Sequence, residues 1–213
     1  MAWSVHTWKI LRIFQSQFLS GKVCAETCHS SYTKRCTPFM RTTIHTTKKL
    51  EKLIKKLIST DEKTECGILG KWNATVFYVD RKKCWLITNG KTKYNVILTD
   101  IKSTDLKNIE QIFKDALYAQ LTYDGIITDF DYLNSIIGKI DFLPTDNDRK
   151  TTGFQNANLQ SLDWWKAEFG ELKNMPIKDL TNRLNNIPIH IGESKKMSDF
   201  TKALNEMRKI INE

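Results

Sequence analysis

Long apolar runs are missing from this chain of 213 residues. The longest span about four residues, as in Val76–Val79, whereas a membrane-spanning helix needs roughly 20. A secretory signal needs an apolar stretch of roughly 7–15 residues, and Arg12, Gln15 and Gln17 interrupt the candidate near the N-terminus. We therefore expect a soluble chain with no membrane partner, whose 40% of apolar residues is enough for a folded core.

The strong catalytic and cofactor signatures are also missing. The sequence has no Gly-rich phosphate loop, no HExxH, no GxSxG and no paired CxxC motif. Cys24, Cys28 and His29 lie close together, but a structural zinc site usually adds a second close pair. An EF-hand loop beginning at Asp129 fails at its fifth and sixth positions, which are Leu133 and Asn134. The sequence thus predicts neither a metal nor a cofactor.

Cysteines are odd in number, which favours free thiols and a reducing cytoplasm over a disulfide framework. They are Cys24, Cys28, Cys36, Cys66 and Cys84.

Acidic residues are scarce in the N-terminal segment. Residues 1–41 hold six basic residues and the single acid Glu26, whereas the rest of the chain holds 27 basic and 23 acidic residues. The formal charge of +9 is therefore concentrated at the N-terminus, which weakens a general argument for nucleic-acid binding. We expect residues 1–40 to lie outside the folded core, either because the true start is Met40 or because the segment is an organelle targeting peptide.

The β-branched residues Thr42–Thr46 predict a strand, and Thr47 is placed to cap a helix reaching about Ile58. One apolar stripe at helical spacing supports this helix; it consists of Leu50, Leu53, Ile54, Leu57 and Ile58. Lysines occupy the other side, which indicates either a polyanion-binding face or an ordinary solvated one.

Three β-rich runs follow, over 72–80, 83–89 and 93–100. Asp80–Lys83 supplies the first turn, and Asn89-Gly90 the second, because both residues tolerate a positive φ. This pattern predicts an antiparallel three-stranded meander.

The rest of the chain alternates helical and polar segments. We expect a helix with core positions from Leu106 to Leu121, a shorter helix capped by Thr128 or Asp129 and closed by Gly138, and a strand over Ile140–Leu143. A long polar loop is predicted over 144–160. Further helices are predicted over Leu159–Phe169, around Leu180 and Leu184, and after Ser198 with Phe200, Leu204, Met207 and Ile211 on one face.

These elements predict an α+β fold: a mainly antiparallel sheet with helices on one face, forming a single domain over 41–213 with a helical C-terminal extension from about 159. The predicted core residues are Trp72, Phe77, Leu86, Ile97, Ile109, Phe113 and Leu117.

Two hypotheses about function remain open. The first is a non-enzymatic binding or regulatory module that contacts protein or nucleic acid. The second is an enzyme acting on a phosphate-bearing substrate through the 145–158 loop, where Arg149 offers a fork for phosphate. Clustering of the loop residues with His45 in one concave pocket would favour the second, and a flat surface the first. The candidate binding residues are Lys48, Lys52, Lys55, Lys56, Arg81, Lys82, Asn147, Arg149 and Asn156.

Several short segments, in order, resemble a bacterial domain-of-unknown-function family, numbered 6933. They are Thr46–Leu50, Leu69–Ala74, Asp80–Cys84, Leu86–Asn89, Lys91-Thr92 and Leu106–Ile109. The resemblance runs from about Arg41 to Leu162, and Asn147–Arg149 with Gly153 resemble the family's later Asn-Arg-Ser…Gly stretch. His45 and Thr46 stand where the family usually has Arg and Cys, so no thiol role carries over. The resemblance implies Met40 as the start and a bacterial cytoplasmic protein, and it transfers no activity.

Overall fold

The computed structural model of the protein describes residues 40–59, 67–190 and 199–212. The strands are β1 (Arg41–Thr46), β2 (Trp72–Val79), β3 (Lys82–Asn89), β4 (Asn95–Leu98), β5 (Lys139–Leu143), β6 (Pro188–His190) and β7 (Phe200–Lys202). The α-helices are α1 (Lys48–Glu51), α2 (Ile109–Tyr123), α3 (Phe130–Ile137), α4 (Arg149–Phe169), α5 (Ile177–Asn186) and α6 (Ala203–Asn212). Single 3₁₀ turns cover Lys55–Leu57, Asp105–Asn108 and Leu172–Asn174. Residues 1–39, Cys66 and Ser198 lie outside the described residues, and so do the predictions that concern them.

The main sheet has five strands in the order β4-β3-β2-β1-β5. β2, β3 and β4 pair antiparallel, as the sequence predicts. β1 pairs in parallel with both β2 and β5, so the sheet is mixed. The α+β class is confirmed, whereas the prediction of a mainly antiparallel sheet holds only for the meander. Parallel neighbours are joined by long crossover connections, and no local sequence pattern reveals that pairing.

Helices pack on both faces of this sheet, and the prediction of helices on one face is wrong. Trp85 and Ile87 of β3 belong to a hydrophobic cluster with α2, α3 and α6. Cys84 and Leu86, which alternate with them, belong to a second cluster with α4 and α5. Both sets of side chains are buried because the meander strands carry apolar residues on both faces, as strands covered on two sides do.

The predicted core is confirmed: Trp72, Phe77, Leu86, Ile97, Ile109, Phe113 and Leu117 are all buried. Trp72 and Phe113 meet edge to face with ring centroids 5.3 Å apart. This contact fixes α2 on the sheet.

The two meander turns differ from each other. Asp80 and Arg81 both have positive φ, +48° and +61°, which matches a tight two-residue hairpin turn. The second turn is longer than predicted: the Asn89 amide N–H donates to the Tyr94 carbonyl, and Lys93, at φ +61°, takes the left-handed conformation. Asn89 and Gly90 have ordinary φ because the Asn89 side chain accepts the N–H groups of Lys91 and Thr92 and thereby holds the wider loop.

Three helix predictions need correction. The helix after Thr47 ends at Glu51 rather than near Ile58, since Ile58 instead forms a parallel bridge with Phe142 beside the sheet. The polar loop predicted over 144–160 is largely the first half of α4, which begins at Arg149. Phe200 is in β7 and about half exposed, while Leu204, Met207 and Ile211 are buried on α6 as predicted.

None of the helices in the described ranges combines the length and the apolar character that crossing a bilayer requires.

Candidate functional site

A cavity of about 720 Å³ opens where β1 and β5 end. Thr47 and Lys48 follow β1, Thr145 and Asn147 follow β5, and the remaining wall belongs to the first two turns of α4. We name it the strand-end cavity; its lining residues are Thr47, Lys48, Thr145, Asn147, Arg149, Thr152, Gly153 and Asn156. The carboxyl ends of parallel strands meet at one edge of a sheet, and ligands bind there in many open α/β sheets.

The lining of the strand-end cavity is cationic. Lys48 and Arg149 contribute positive charge, and the described residues of the lining include no carboxylate. The other polar groups are threonine hydroxyls and asparagine amides, which donate hydrogen bonds without adding charge. The cavity therefore presents donors and positive charge to whatever enters it.

The loop between β5 and α4 is held from beneath by the sheet. Lys71, just before β2, places its Nζ 2.6 Å from Asp146 Oδ2, and Asn73 donates to Asp146 Oδ1 over 3.0 Å. His45 Nδ1 lies 2.9 Å from the Pro144 carbonyl oxygen. These contacts fix the loop on which Asn147 projects, at a φ of +56°.

Asp148 links this loop to α4 as its N-cap. Its carboxylate accepts the Thr151 N–H over 3.1 Å and the Thr151 hydroxyl over 2.8 Å, and Lys71 Nζ lies 3.3 Å away. Burial alone raises the pKa of Asp148, but the Thr151 hydrogen bonds and the Lys71 ammonium outweigh it and lower the pKa to about 2. Asp148 is thus ionised at neutral pH and keeps the first turn of α4 in place.

Lys71 and Asp146 stabilise each other's charged form. Burial disfavours the Lys71 ammonium, yet Asp146 and Asp148 raise the pKa of Lys71 above its usual value. Burial likewise raises the pKa of Asp146, and the hydrogen bonds from Lys71 and the Asp148 N–H reverse the direction and lower it. Asp146 and Asp148 share the single Lys71 ammonium, which leaves one net negative charge beside the cavity against the two positive charges of Lys48 and Arg149.

A row of polar side chains crosses the sheet beneath α4. His45, Asn73, Thr88 and Asn95 are register partners on four neighbouring strands. α4 turns a polar stripe toward them: Gln155 donates to the Asn73 carbonyl over 2.7 Å, and Asn158 to Asn95 Oδ1 over 3.1 Å. Asn73 itself is 7% exposed, and its Oδ1 is buried with no hydrogen-bond partner among the described residues.

The structure brings together four of the nine predicted binding residues. Lys48, Asn147, Arg149 and Asn156 line the strand-end cavity. His45 lies beside the cavity through its contact with Pro144 and is not among the residues that line it.

The other five predicted residues lie elsewhere. Lys52, Lys55 and Lys56 are exposed on the segment after α1, and Arg81 and Lys82 lie at the β2–β3 turn. Sequence reasoning missed Lys71 and Asn73 because their roles depend on the Asp146 pairing across the sheet. The polar run 145–158 is the sequence signal that indicates this site.

A second cavity, also of about 720 Å³, lies on another flank of α4. We name it the hairpin cavity; among the residues that line it are Gly90, Lys91, Lys93, Asp148, Lys150, Phe154, Ile187, Ile189 and His190. It combines three lysines and the Asp148 carboxylate with an apolar wall, and it is separate from the strand-end cavity.

A third polar cluster is buried around Asp124. Tyr94 donates to Asp124 Oδ2 over 2.7 Å, and Gln120 and Asn182 each donate to Oδ1 over 2.8 Å. Burial and the adjacent carboxylate raise the pKa of Tyr94 far above its usual range, so its hydroxyl stays protonated. This cluster anchors α2 and α5 against β4.

No group of three or more histidine, cysteine or acidic side chains suited to a metal ion occurs within residues 40–59, 67–190 and 199–212. Cys84, the cysteine in this part of the chain, is buried as a free thiol. Burial raises the pKa of Cys84, which keeps it unreactive.

No curated protein and no solved structure matches the chain. Residues 43–206, well over half of the sequence, match the family described as Domain of unknown function (DUF6933), and the chain therefore belongs to that family.

Proposed function

We propose that this protein is a binding module whose strand-end cavity takes a small phosphate-bearing ligand. The observation that carries the proposal is the lining itself: Lys48 and Arg149 share one cavity with hydroxyl and amide donors, and the described lining residues include no carboxylate. A phosphate group offers only acceptor oxygens and negative charge, so it complements such a lining.

The individual side chains suit different parts of such a ligand. The Arg149 guanidinium presents a planar fork that matches two phosphate oxygens, while Lys48 acts as a point charge. Asn147 and Asn156 offer amides that can fix a ligand's orientation. A volume of about 720 Å³ falls within the range of roughly 300–1,000 Å³ common for small-molecule sites.

The same lining favours binding over catalysis. The described residues that line the strand-end cavity include no histidine, cysteine or carboxylate to act as general base or nucleophile. The enzyme hypothesis requires a group such as His45 to reach the ligand, and the His45 Nδ1–H donates to the Pro144 carbonyl oxygen instead.

Binding can be measured by titration calorimetry on the full chain, with pyrophosphate and adenosine 5′-monophosphate as probes and adenosine as the uncharged comparison. We expect the phosphate-bearing probes to bind and adenosine not to bind. Arg149→Gln and Lys48→Gln should each weaken binding by about tenfold or more, because each removes a charged hydrogen bond.

Lys56→Gln is the matched control, since Lys56 is an exposed lysine of the same segment that does not line the cavity. If Lys56→Gln weakened binding as much as Lys48→Gln does, the loss of affinity would reflect only the net charge of the protein. That result would overturn the proposal. The proposal would also be overturned if neither pyrophosphate nor adenosine 5′-monophosphate bound.

Nucleic-acid contact is a second candidate function. Lys52, Lys55, Lys56 and Arg81 are exposed and make no ion pair with another described residue. Unpaired surface cations attract phosphate backbones without reading sequence, and such binding falls steeply with salt.

The nucleic-acid hypothesis is tested with a short DNA duplex at two salt concentrations, comparing the wild-type chain with a variant in which Lys52, Lys55 and Lys56 are replaced by Glu. We expect binding that weakens with salt and is lost in the variant. Binding that is indifferent to the charge reversal would eliminate this surface as the interface.

A further inference from the structure

The hairpin cavity lies between the β3–β4 turn, the flank of α4 that carries Lys150 and Phe154, and the strand β6. Its position is distinct from the strand-end cavity, whose α4 residues lie on a different flank. The lysine of interest is Lys93, which is half-buried on the turn.

Lys93 is held by two neutral acceptors. Its Nζ donates to the Gly90 carbonyl over 2.9 Å and to Thr151 Oγ1 over 2.6 Å. The Thr151 hydroxyl proton is directed to Asp148 Oδ2 over 2.8 Å, so Thr151 Oγ1 is free to accept from Lys93. Within the described residues, Lys93 forms no ion pair, unlike Lys71 nearby.

This arrangement is compatible with a neutral amine. A neutral lysine amine has two N–H groups, which match the two acceptors, and a lone pair that remains available. An ammonium has three N–H groups, of which these two contacts satisfy two. One ammonium N–H group is left without a partner among these contacts, which disfavours the charged form of Lys93. Removal of the amine from water disfavours it more strongly.

Electrostatics act in the same direction. Burial lowers the pKa of Lys93; Asp148 and Asp146 oppose this, and the Lys71 and Lys150 ammonium groups lower it further. Lys91 and His190 also line the hairpin cavity. Lysines are activated as nucleophiles by desolvation and by a neighbouring cation, and Lys93 has both.

The other residues that line the hairpin cavity indicate the chemistry of a ligand that would fit it. Lys91 and Lys150 are exposed cations that can pair with a carboxylate, and Phe154, Ile187 and Ile189 provide an apolar wall. The Nε2 atom of His190 is buried without a hydrogen-bond partner among the described residues. A small molecule that enters here would carry an anionic group and an apolar body.

We propose that Lys93 is the nucleophilic amine of a second ligand site, which binds 2-oxo acids with apolar side chains as a Schiff base in the hairpin cavity. The Lys93 lone pair attacks the ketone carbon and the C=O π bond opens to a carbinolamine. Loss of the former carbonyl oxygen with both amine protons, as one water molecule, leaves the C=N bond. Nothing is oxidised or reduced, and hydrolysis reverses the reaction.

The proposal is tested by trapping the imine on the full chain with phenylpyruvate and sodium cyanoborohydride, which reduces C=N to a stable secondary amine. Intact mass gives the stoichiometry, and peptide mapping gives the position. We expect one adduct, located at Lys93. Phenyllactate, which has a hydroxyl in place of the ketone, should give no adduct and should suppress labelling when present in excess.

Variants separate Lys93 from its neighbours. Lys93→Arg keeps the positive charge but removes the amine nucleophile, so we expect loss of the adduct with an unchanged circular dichroism spectrum. Lys91→Arg, in the same turn and the same cavity, should keep it, and Arg149→Gln should leave it unaffected because it belongs to the strand-end cavity. If Lys93→Arg does not fold, the wild-type peptide map still decides. Label spread evenly over surface lysines, or an undiminished adduct in folded Lys93→Arg, would overturn the proposal.

Discussion

Gly138 lies where the chain passes from α3 into β5, and its backbone has φ +61° and ψ −140°. A Cβ added there would lie 1.7 Å from the Met40 carbonyl oxygen. Neither the conformation nor the space admits a side chain, because this region of backbone space is open essentially to glycine alone. Gly138 therefore lets α3 end directly against the start of β1.

We predict that Gly138→Ala destabilises the protein by at least about 2 kcal/mol, from backbone strain together with overpacking. Urea unfolding followed by circular dichroism measures the change. Gly153→Ala is the control: it lies in α4 with no heavy atom within 4 Å of an added Cβ, so it should be neutral or stabilise by up to about 1 kcal/mol. Similar stabilities for the two variants would show that the approach of Met40 to Gly138 is not tight.

Asp148 gives a prediction about pH. The folded protein lowers the pKa of Asp148 from 3.8 to about 2, so the folded state favours the carboxylate. The stabilisation is therefore complete above the unfolded pKa and is lost as pH falls through the folded one. We predict that Asp148→Asn is less stable than the wild type at pH 6 and that the difference shrinks between about pH 4 and pH 2.

Thermal unfolding at several pH values tests this prediction. Asp131→Asn is a suitable comparison, because Asp131 is a carboxylate in the first turn of α3, close to a helix N-terminus as Asp148 is, but is exposed. The stability difference from the wild type should change more with pH for Asp148→Asn than for Asp131→Asn. A deficit that stays constant down to pH 2 would mean that shape and not charge at position 148 stabilises α4.

At the scale of elements, Asn185 joins α5 to the edge strand β4. Its Oδ1 accepts the Asn95 backbone N–H over 2.8 Å, and its Nδ2 donates to the Asn95 carbonyl and to Asp124 Oδ2, each over 3.2 Å. One side chain thus continues the β ladder beyond β4, where another strand would otherwise pair. Edge strands often need such cover.

We predict that Asn185→Ala costs roughly 3 kcal/mol, since it leaves buried backbone groups of Asn95 without partners. The neighbouring Asn186 bonds to Asn182 on its own helix and to Lys202, so Asn186→Ala should cost only about 1 kcal/mol or less. Chemical denaturation of the two variants gives the comparison. Equal losses of stability in the two variants would mean that the hydrogen bonds between Asn185 and Asn95 of β4 have no special importance.

The sequence predicts elements well where hydrophobic burial determines them. The meander and α2 follow from apolar alternation and spacing, and Asp129 and Gly138 mark the ends of α3 as expected. The apolar pattern does not reveal the first half of α4, because the side that faces the sheet carries Thr151, Gln155 and Asn158, which are buried yet polar. Hydropathy assigns such residues to a loop, whereas hydrogen bonds to the sheet stabilise them as a helix.

The candidate site was predictable only in part, for a related reason. Asn147, Arg149 and Asn156 belong to one polar segment of the sequence, and Lys48 to a predicted lysine-rich helix face. Their meeting in one cavity depends on the parallel pairing of β1 with β5, a contact between residues about 100 positions apart, such as Thr42 and Ile140. Without that pairing, no local pattern separates Lys48 from Lys52.

At the scale of the whole molecule, one sheet serves two hydrophobic clusters. Phe113 on α2 belongs to the cluster on one face and Leu162 on α4 to the cluster on the other, and both side chains are fully buried. The strands between them contribute alternate residues to each cluster. Neither layer of helices can therefore lose its packing without exposing the sheet that the other layer covers, which favours a single cooperative transition.

We predict that Phe113→Ala costs about 3–5 kcal/mol and Leu162→Ala about 2–5 kcal/mol. Because the two side chains belong to separate clusters, their effects should add to within about 0.5 kcal/mol in the double variant. Trp164→Ala, two residues from Leu162 but 79% exposed, should change stability by less than about 0.5 kcal/mol. Denaturant unfolding, followed in parallel by circular dichroism and tryptophan fluorescence, tests all three values.

Coincidence of the two probes is the decisive part of that experiment. Trp72 and Trp85 lie in the cluster around Phe113, whereas Trp165 packs against the cluster around Leu162, so fluorescence is recorded with Trp164 and Trp165 of α4 replaced by Phe. Circular dichroism reports on all helices, including α4 and α5. If the sheet couples the two layers, both signals should change at one denaturant concentration in the wild type and in each single variant. An early loss of helical signal in Leu162→Ala, with the fluorescence of Trp72 and Trp85 unchanged, would show that α4 and α5 unfold separately. Both cavities would then lose a wall while the rest of the sheet remained folded, since α4 lines each of them.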